Sequence, residues 1–161
     1  MFTEYNNLPS SSRVWVYQAD REFNIEEVEY ICAKAILFID SWTRHGADLK
    51  GSFTLKHNQF FVLGVDESVN SVSGCSIDAS VRFIKELEKE LRIDLMDKMN
   101  VSFKDEDRIN IVKLPEFQQL AKAKKITSQT VVFNNMVNTK EGFETNWEVT
   151  ADKSRHKQFL V

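Results

Sequence analysis

Six consecutive residues, Phe60-Phe61-Val62-Leu63-Gly64-Val65, place apolar groups on both faces of any extended segment. Alternate side chains of a strand point to opposite faces, so such a run reads as a central strand covered on both sides. The run stops at the acidic pair Asp66–Glu67. A polar loop follows, and Gly74-Cys75-Ser76-Ile77-Asp78 leads into a helical pattern. Ile77, Val81, Ile84, Leu87 and Leu91 fall on one side of it, with Lys85, Glu88, Lys89 and Arg92 on the other.

The elements around this pair follow the same logic. Val14-Trp15-Val16-Tyr17 is a short β-branched and aromatic run and reads as a first strand. Asn24 with Glu27 three residues on forms a capping box. From there Val28, Ile31/Cys32, Ala35, Phe38/Ile39 and Trp42 recur at helical spacing, with Arg44 and His45 in the last turn and Gly46 as the exit. Phe53 and Leu55 alternate with polar neighbours, and His57-Asn58 supplies a tight turn into the apolar strand. Met99–Phe103 and Ile109–Val112 read as strands joined by Asp105-Glu106-Asp107. Pro115 opens a short helix ending near Lys125. Thr130–Phe133 is a further strand, expected to turn through Asn138–Gly142 into Phe143–Val149, where Phe143, Thr145, Trp147 and Val149 alternate. Thr150 caps a last short helix. Up to Phe103 the order is that of a split βαβ, so the expected fold is α+β: a ferredoxin-like antiparallel sheet extended by a C-terminal helix and a β-hairpin.

A chain of 161 residues, 42% hydrophobic and 28% charged, is expected to form one globular domain over 1–161. It buries roughly two thirds of its unfolded surface and needs no metal or disulfide staple. A net charge of −3 argues against nucleic acid, and the cluster Lys122, Lys124 and Lys125 reads as a solvated helix end. No window approaches the ~20 apolar residues of a membrane span. Met1 is followed by Phe-Thr-Glu-Tyr-Asn-Asn, which is no secretory signal. The expected location is cytoplasmic, with Cys32 and Cys75 as free thiols.

Cys75 is the first candidate for chemistry. A helix start leaves backbone N–H groups unpaired and carries partial positive charge, which can activate a thiol. Ser73, Ser76 and Asp78 lie beside it, and Asp66 and Glu67 could approach across the loop. Three readings stand together: Ser76 or Asp78 as a helix cap with Cys75 as small buried filler, a reactive thiol, and a small-anion pocket on the free amides. A thiol enzyme would need a base such as His45, His57 or Asp66; His45 also reads as a helix-end cation and His57 as a turn residue. With three His and two Cys far apart, no metal site is expected. A second polar group, Asn134, Asn135, Thr145 and Asn146 beside Trp147, reads either as a ligand-recognising surface or as strand-ending amides. Phosphate-loop and nucleophile-elbow motifs are missing.

Several segments, among them Ser12–Gln18, Val65–Ser68, Ser73–Ile84, Val132–Asn135 and Glu144–Val149, together resemble a family of uncharacterised Bacteroidetes proteins of about this length. Its members often carry the name "ABC transporter ATPase". That name implies a glycine-rich loop with a lysine reaching the β/γ-phosphates. Here the only Lys-Gly-Ser run, Lys50-Gly51-Ser52, has the wrong order and no preceding glycine loop. The expected function is therefore a small ligand- or partner-binding or regulatory domain, without a cofactor. A homodimer through a sheet face or edge is one form of partnership. The alternative is a thiol-dependent hydrolase or transferase with Cys75 as nucleophile.

Overall fold

A computed structural model describes the whole chain, Met1–Val161. The chain divides into two compact units, Met1–Met96 with Asn138–Glu141, and Asp97–Val137 with Gly142–Val161. Each unit combines helices with an antiparallel sheet, so the class is α+β.

In the first unit the strands are β1 (Arg13–Gln18), β2 (Thr43–Arg44), β3 (Ala47–Asp48), β4 (Lys50–Lys56) and β5 (Phe60–Asp66), with helices α1 (Ile25–Asp40) and α2 (Gly74–Leu91). The apolar run becomes the middle strand of the order β1-β5-β4, and every residue of β5 is buried. Phe61, Leu63 and Val65 share one core with Ile31, Ala35 and Ile39 of α1 and with Phe83, Ile84 and Leu87 of α2. Each of these side chains larger than Ala35 contributes about 1.5–3 kcal/mol on burial. His57 and Asn58 take φ of 53° and 50°, the two left-handed positions of a tight hairpin turn between β4 and β5.

The start of α1 follows its sequence. Asn24 Oδ1 accepts from the Glu27 amide at 2.8 Å, and Glu27 Oε1 accepts from the Asn24 amide at 3.0 Å. Its end does not. The helix stops at Asp40, and Trp42 turns into the core at 2% exposure. Arg44, His45 and Gly46 belong to the small β2–β3 hairpin, with His45 (φ 49°) and Gly46 (φ 82°) at its turn. His45 is therefore not a helix-end cation.

Three strands of the split βαβ order are made, but the fourth is not. The split βαβ order puts Met99–Phe103 in the same sheet as the first three strands; it lies instead in β6 (Asn100–Asp105), whose two edges are taken by β7 (Arg108–Lys113) and β8 (Val131–Phe133). A strand paired on both sides has no ladder groups left for β1. At β1 the edge contact comes instead from Asn138 and Thr139, with the Val14 amide donating to the Asn138 carbonyl at 3.0 Å.

The second sheet runs β7-β6-β8-β9, where β9 is Glu148–Thr150. Its core joins Val101, Phe103 and Val132 to Phe117 and Ala121 of α3 (Leu114–Lys122), which has Pro115 in its first turn. The expected C-terminal hairpin is also corrected. Val132 does pair with Val149, but Lys140–Asn146 folds as helix α4, where a turn to Gly142 and a strand from Phe143 are expected. Phe143 and Trp147 fit a helical i, i+4 pair as well as an alternating strand, and their rings pack at 4.6 Å. Two 3₁₀ turns, Ala151–Lys153 and Arg155–Phe159, end the chain.

Candidate functional site

The loop between β5 and α2 is built by its own acids. Asp66 Oδ1 accepts from the Ser68 amide at 2.9 Å and from the Ser68 hydroxyl at 2.6 Å. These bonds, with a smaller contribution from Lys50, hold the Asp66 carboxyl below its usual range. Glu67 accepts from the Val72 amide at 3.1 Å. Both carboxylates therefore shape the loop.

The cap of α2 differs from both expected ones. Ser73 is the N-cap: its hydroxyl accepts from the Ser76 amide, and Ser76 Oγ accepts from the Ser73 amide. Ser76 is buried, and Asp78, two residues on, is exposed. Cys75 is not buried filler. It is exposed at the second helical position, beside Gly74, and its sulfur makes no hydrogen bond to His45. His57 stands in the β4–β5 turn with its ring against Phe60. No nucleophile–base pair is assembled at this helix start.

The second polar group is internal support. Trp147 is 4% exposed, and its indole N–H donates to Asn135 Oδ1 at 2.9 Å. The Asn134 amide donates to the Trp147 carbonyl at 2.7 Å, while Asn134 Oδ1 accepts from the Met136 amide. Thr145 and Asn146 are exposed at the end of α4. The structure thus brings Asn134, Asn135 and Trp147 together as a tie.

What the sequence did not single out is a groove of about 950 Å³ between α1 and α2. Its size falls in the range of ligand-binding clefts. Leu37, Phe38, Ala79 and Phe83 line it with apolar groups, and Lys34, Arg82, Glu86 and Glu90 with charged ones. Phe38 and Phe83 stack with centroids 4.7 Å apart and planes 9° from parallel. At one end the wall is Thr43, His45, Gly46 and Cys75. Of the candidate residues, Cys75 and His45 open onto this groove, with no hydrogen bond between them.

No family model, curated protein or solved structure matches this chain. No helix is long and apolar enough to cross a membrane, and no cluster of His, Cys, Asp and Glu is placed to hold a metal ion.

A signal for the groove does exist in α1. Its core stripe is Ile31, Ala35 and Ile39, yet Ile36 and Leu37 lie off that stripe at 37% and 65% exposure. A helix apolar beyond the width of its core face has a second surface to cover.

Proposed function

We propose that this chain is a small cytoplasmic binding or regulatory domain, akin to the Bacteroidetes proteins its sequence resembles, and that its working surface is the α1/α2 groove. Leu37 carries this reading. A single exposed leucine on a monomer is ordinary. Leu37, however, lines a concave channel together with Phe38, Ala79 and Phe83, and charged side chains of both helices line it too. Apolar and polar groups converging on one concavity are what a recognition cleft offers.

The ATPase alternative gains nothing from Lys50-Gly51-Ser52, which pair with Asp66, Val65 and Gly64 inside β4 and form no phosphate-wrapping loop. The thiol-enzyme reading has one observation in its favour, the opening of Cys75 into the groove, and lacks the base it needs. Self-association, the other part of the expectation, would have the outer side of β7 to use, since β6 is its only neighbour in the sheet.

The test is a titration with 1-anilinonaphthalene-8-sulfonate, an anionic aromatic probe suited to an apolar lining beside Lys34 and Arg82. Native protein should give a saturable fluorescence rise. Leu37→Ser should weaken it several-fold with an unchanged melting temperature. Equal binding by the variant, or no rise at all, overturns the proposal.

A further inference from the structure

We propose that the outer edge of β7 is a self-pairing surface, where a second copy of this chain adds its own β7 antiparallel about a two-fold axis at Asn110. This surface is separate from the groove, and the inference does not rest on the groove's role.

The edge is open and unguarded. In the two larger sheets β1 is met by Asn138 and Thr139, β4 takes Met1 and Thr3 at Gly51, and β9 is only three residues long. β7 runs six residues beside β6 in unbroken register, without proline or bulge, and its charges stand only at its ends, Arg108 and Lys113. Proteins that keep a strand edge single shorten it, bend it or charge its middle. The Leu114 amide donates to the Met99 carbonyl at 2.8 Å, in step with the pairing of Lys113 and Asn100. Backbone groups alternate along a strand, so Asn110 and Val112 also turn theirs to β6, whereas Ile109, Ile111 and Lys113 turn theirs outward. No hydrogen bond within the chain takes those of Ile109 and Ile111. Their side chains fall on one face and are half-buried.

The residue pattern selects the occupant. A ladder forms only where outward residues oppose one another, which allows a two-fold axis at Ile109, Asn110 or Ile111 and excludes Arg108 opposite Lys113. An axis at Asn110 sets Ile109 against the partner's Ile111, and Ile111 against the partner's Ile109. That gives a row of four isoleucines. It also sets Asp107, the last residue of the β6–β7 turn, against the partner's Lys113, twice over. Lys113 already holds Asp97 at 2.6 Å, and an ammonium has three donors to share. Asn110 meets its own copy, and two primary amides donate to each other. An axis at Ile109 or Ile111 would instead oppose an isoleucine to Asp107 or to Lys113. The outward residues thus find their complement in the same edge turned over, as an isologous contact requires. A six-residue ladder is a small interface, so the dimer is weak, with a dissociation constant on the order of tens of micromolar.

The experiment is sedimentation equilibrium of the full chain from about 5 to about 500 µM, a range that brackets this affinity. The apparent mass should climb toward twice that of the monomer. Asp107→Lys and Lys113→Asp should each weaken association by about tenfold, with unchanged circular dichroism. An equimolar mixture of these two variants should associate as the original chain does, because every contact again joins opposite charges. Asn110→Cys in a Cys75→Ser background should cross-link to a dimer under mild oxidation. Arg108→Cys should not, since only a residue on the axis meets its own copy.

A mass that stays monomeric across the range overturns the proposal. So does a dimer untouched by either charge variant, a mixture as weak as its components, or cross-linking equal at positions 108 and 110. A dimer lost in Leu37→Ser but kept in Asp107→Lys assigns self-association to the groove and overturns it as well.

Discussion

Trp42 donates its indole N–H to the Ser76 carbonyl oxygen at 2.9 Å, and the Ser76 hydroxyl donates to the Thr43 carbonyl at the same distance. These two bonds fasten the chain just after α1 to the first turn of α2 and fix one end of the groove. Trp42→Phe keeps most of the apolar volume but leaves the buried Ser76 carbonyl one donor short. It should cost about 1–3 kcal/mol in chemical denaturation. Ser76→Ala should cost less in the Trp42→Phe background than alone, because the two residues act as one tie. Additive costs would show that they do not.

Gly64 faces Leu8 across the sheet surface. A Cβ at Gly64 would lie 2.8 Å from Leu8 Cδ1, closer than real side chains approach. Gly64→Ala should therefore destabilise by roughly 1 kcal/mol or somewhat more, as overpacking does. Shortening the neighbour should relieve it: in a Leu8→Val background the same substitution should be less costly by a measurable part of that amount.

His156 is the group through which mild acid, above the carboxylate range, acts on stability. Burial, with a smaller contribution from Arg155, lowers its imidazole from 6.5 to about 4, and Nδ1 is held by the Ser154 hydroxyl at 2.7 Å. The unfolded chain takes up the proton near pH 6.5 and the folded one only near pH 4. Stability is therefore full above pH 6.5 and declines as pH falls between those values. Between pH 7 and pH 4.5 the loss should approach about 2–3 kcal/mol, and His156→Gln should remove that slope. A slope unchanged in the variant would assign it to other groups.

The two cysteines should separate under a maleimide reagent at pH 7. Cys75 is exposed, whereas Cys32 is half-buried and its thiol is raised above its usual value by burial. Cys75 should label at least about tenfold faster, so that Cys75→Ser leaves only the slow phase. Saturating sulfonate probe should slow the fast phase, since Cys75 opens onto the groove the probe occupies.

Local chemistry carried much of this architecture in the sequence. Phe60–Val65 could be nothing but a covered central strand, the Asn24–Glu27 box opened its helix, and His57-Asn58 made their turn. Trp42 defeated the periodicity because it continues the apolar spacing of α1 while its indole N–H is satisfied only by a carbonyl 34 residues away. Phe143 and Trp147 defeated it because one short segment satisfied two periods, and burial of their rings against each other and Phe133 made the choice.

The site was legible only at one end, where Cys75 and His45 stand. Cys75 marked the helix start that closes the groove, but its neighbours Asp66, Glu67, Ser73 and Ser76 proved to be loop and cap chemistry, where polar side chains answer local backbone N–H groups. Lys34, Leu37, Arg82, Glu86 and Glu90 were passed over because each looks like an ordinary helix surface residue. Only the separation of α1 from α2 makes them neighbours, and that separation is tertiary.

The most direct measurement is a two-dimensional amide NMR titration of the full chain with the sulfonate probe. Shift changes confined to residues 30–46 and 75–90, with the remaining amides unmoved, are the predicted result. Changes centred on β7 or on Asn134–Trp147, with the α1 and α2 amides silent, would contradict it.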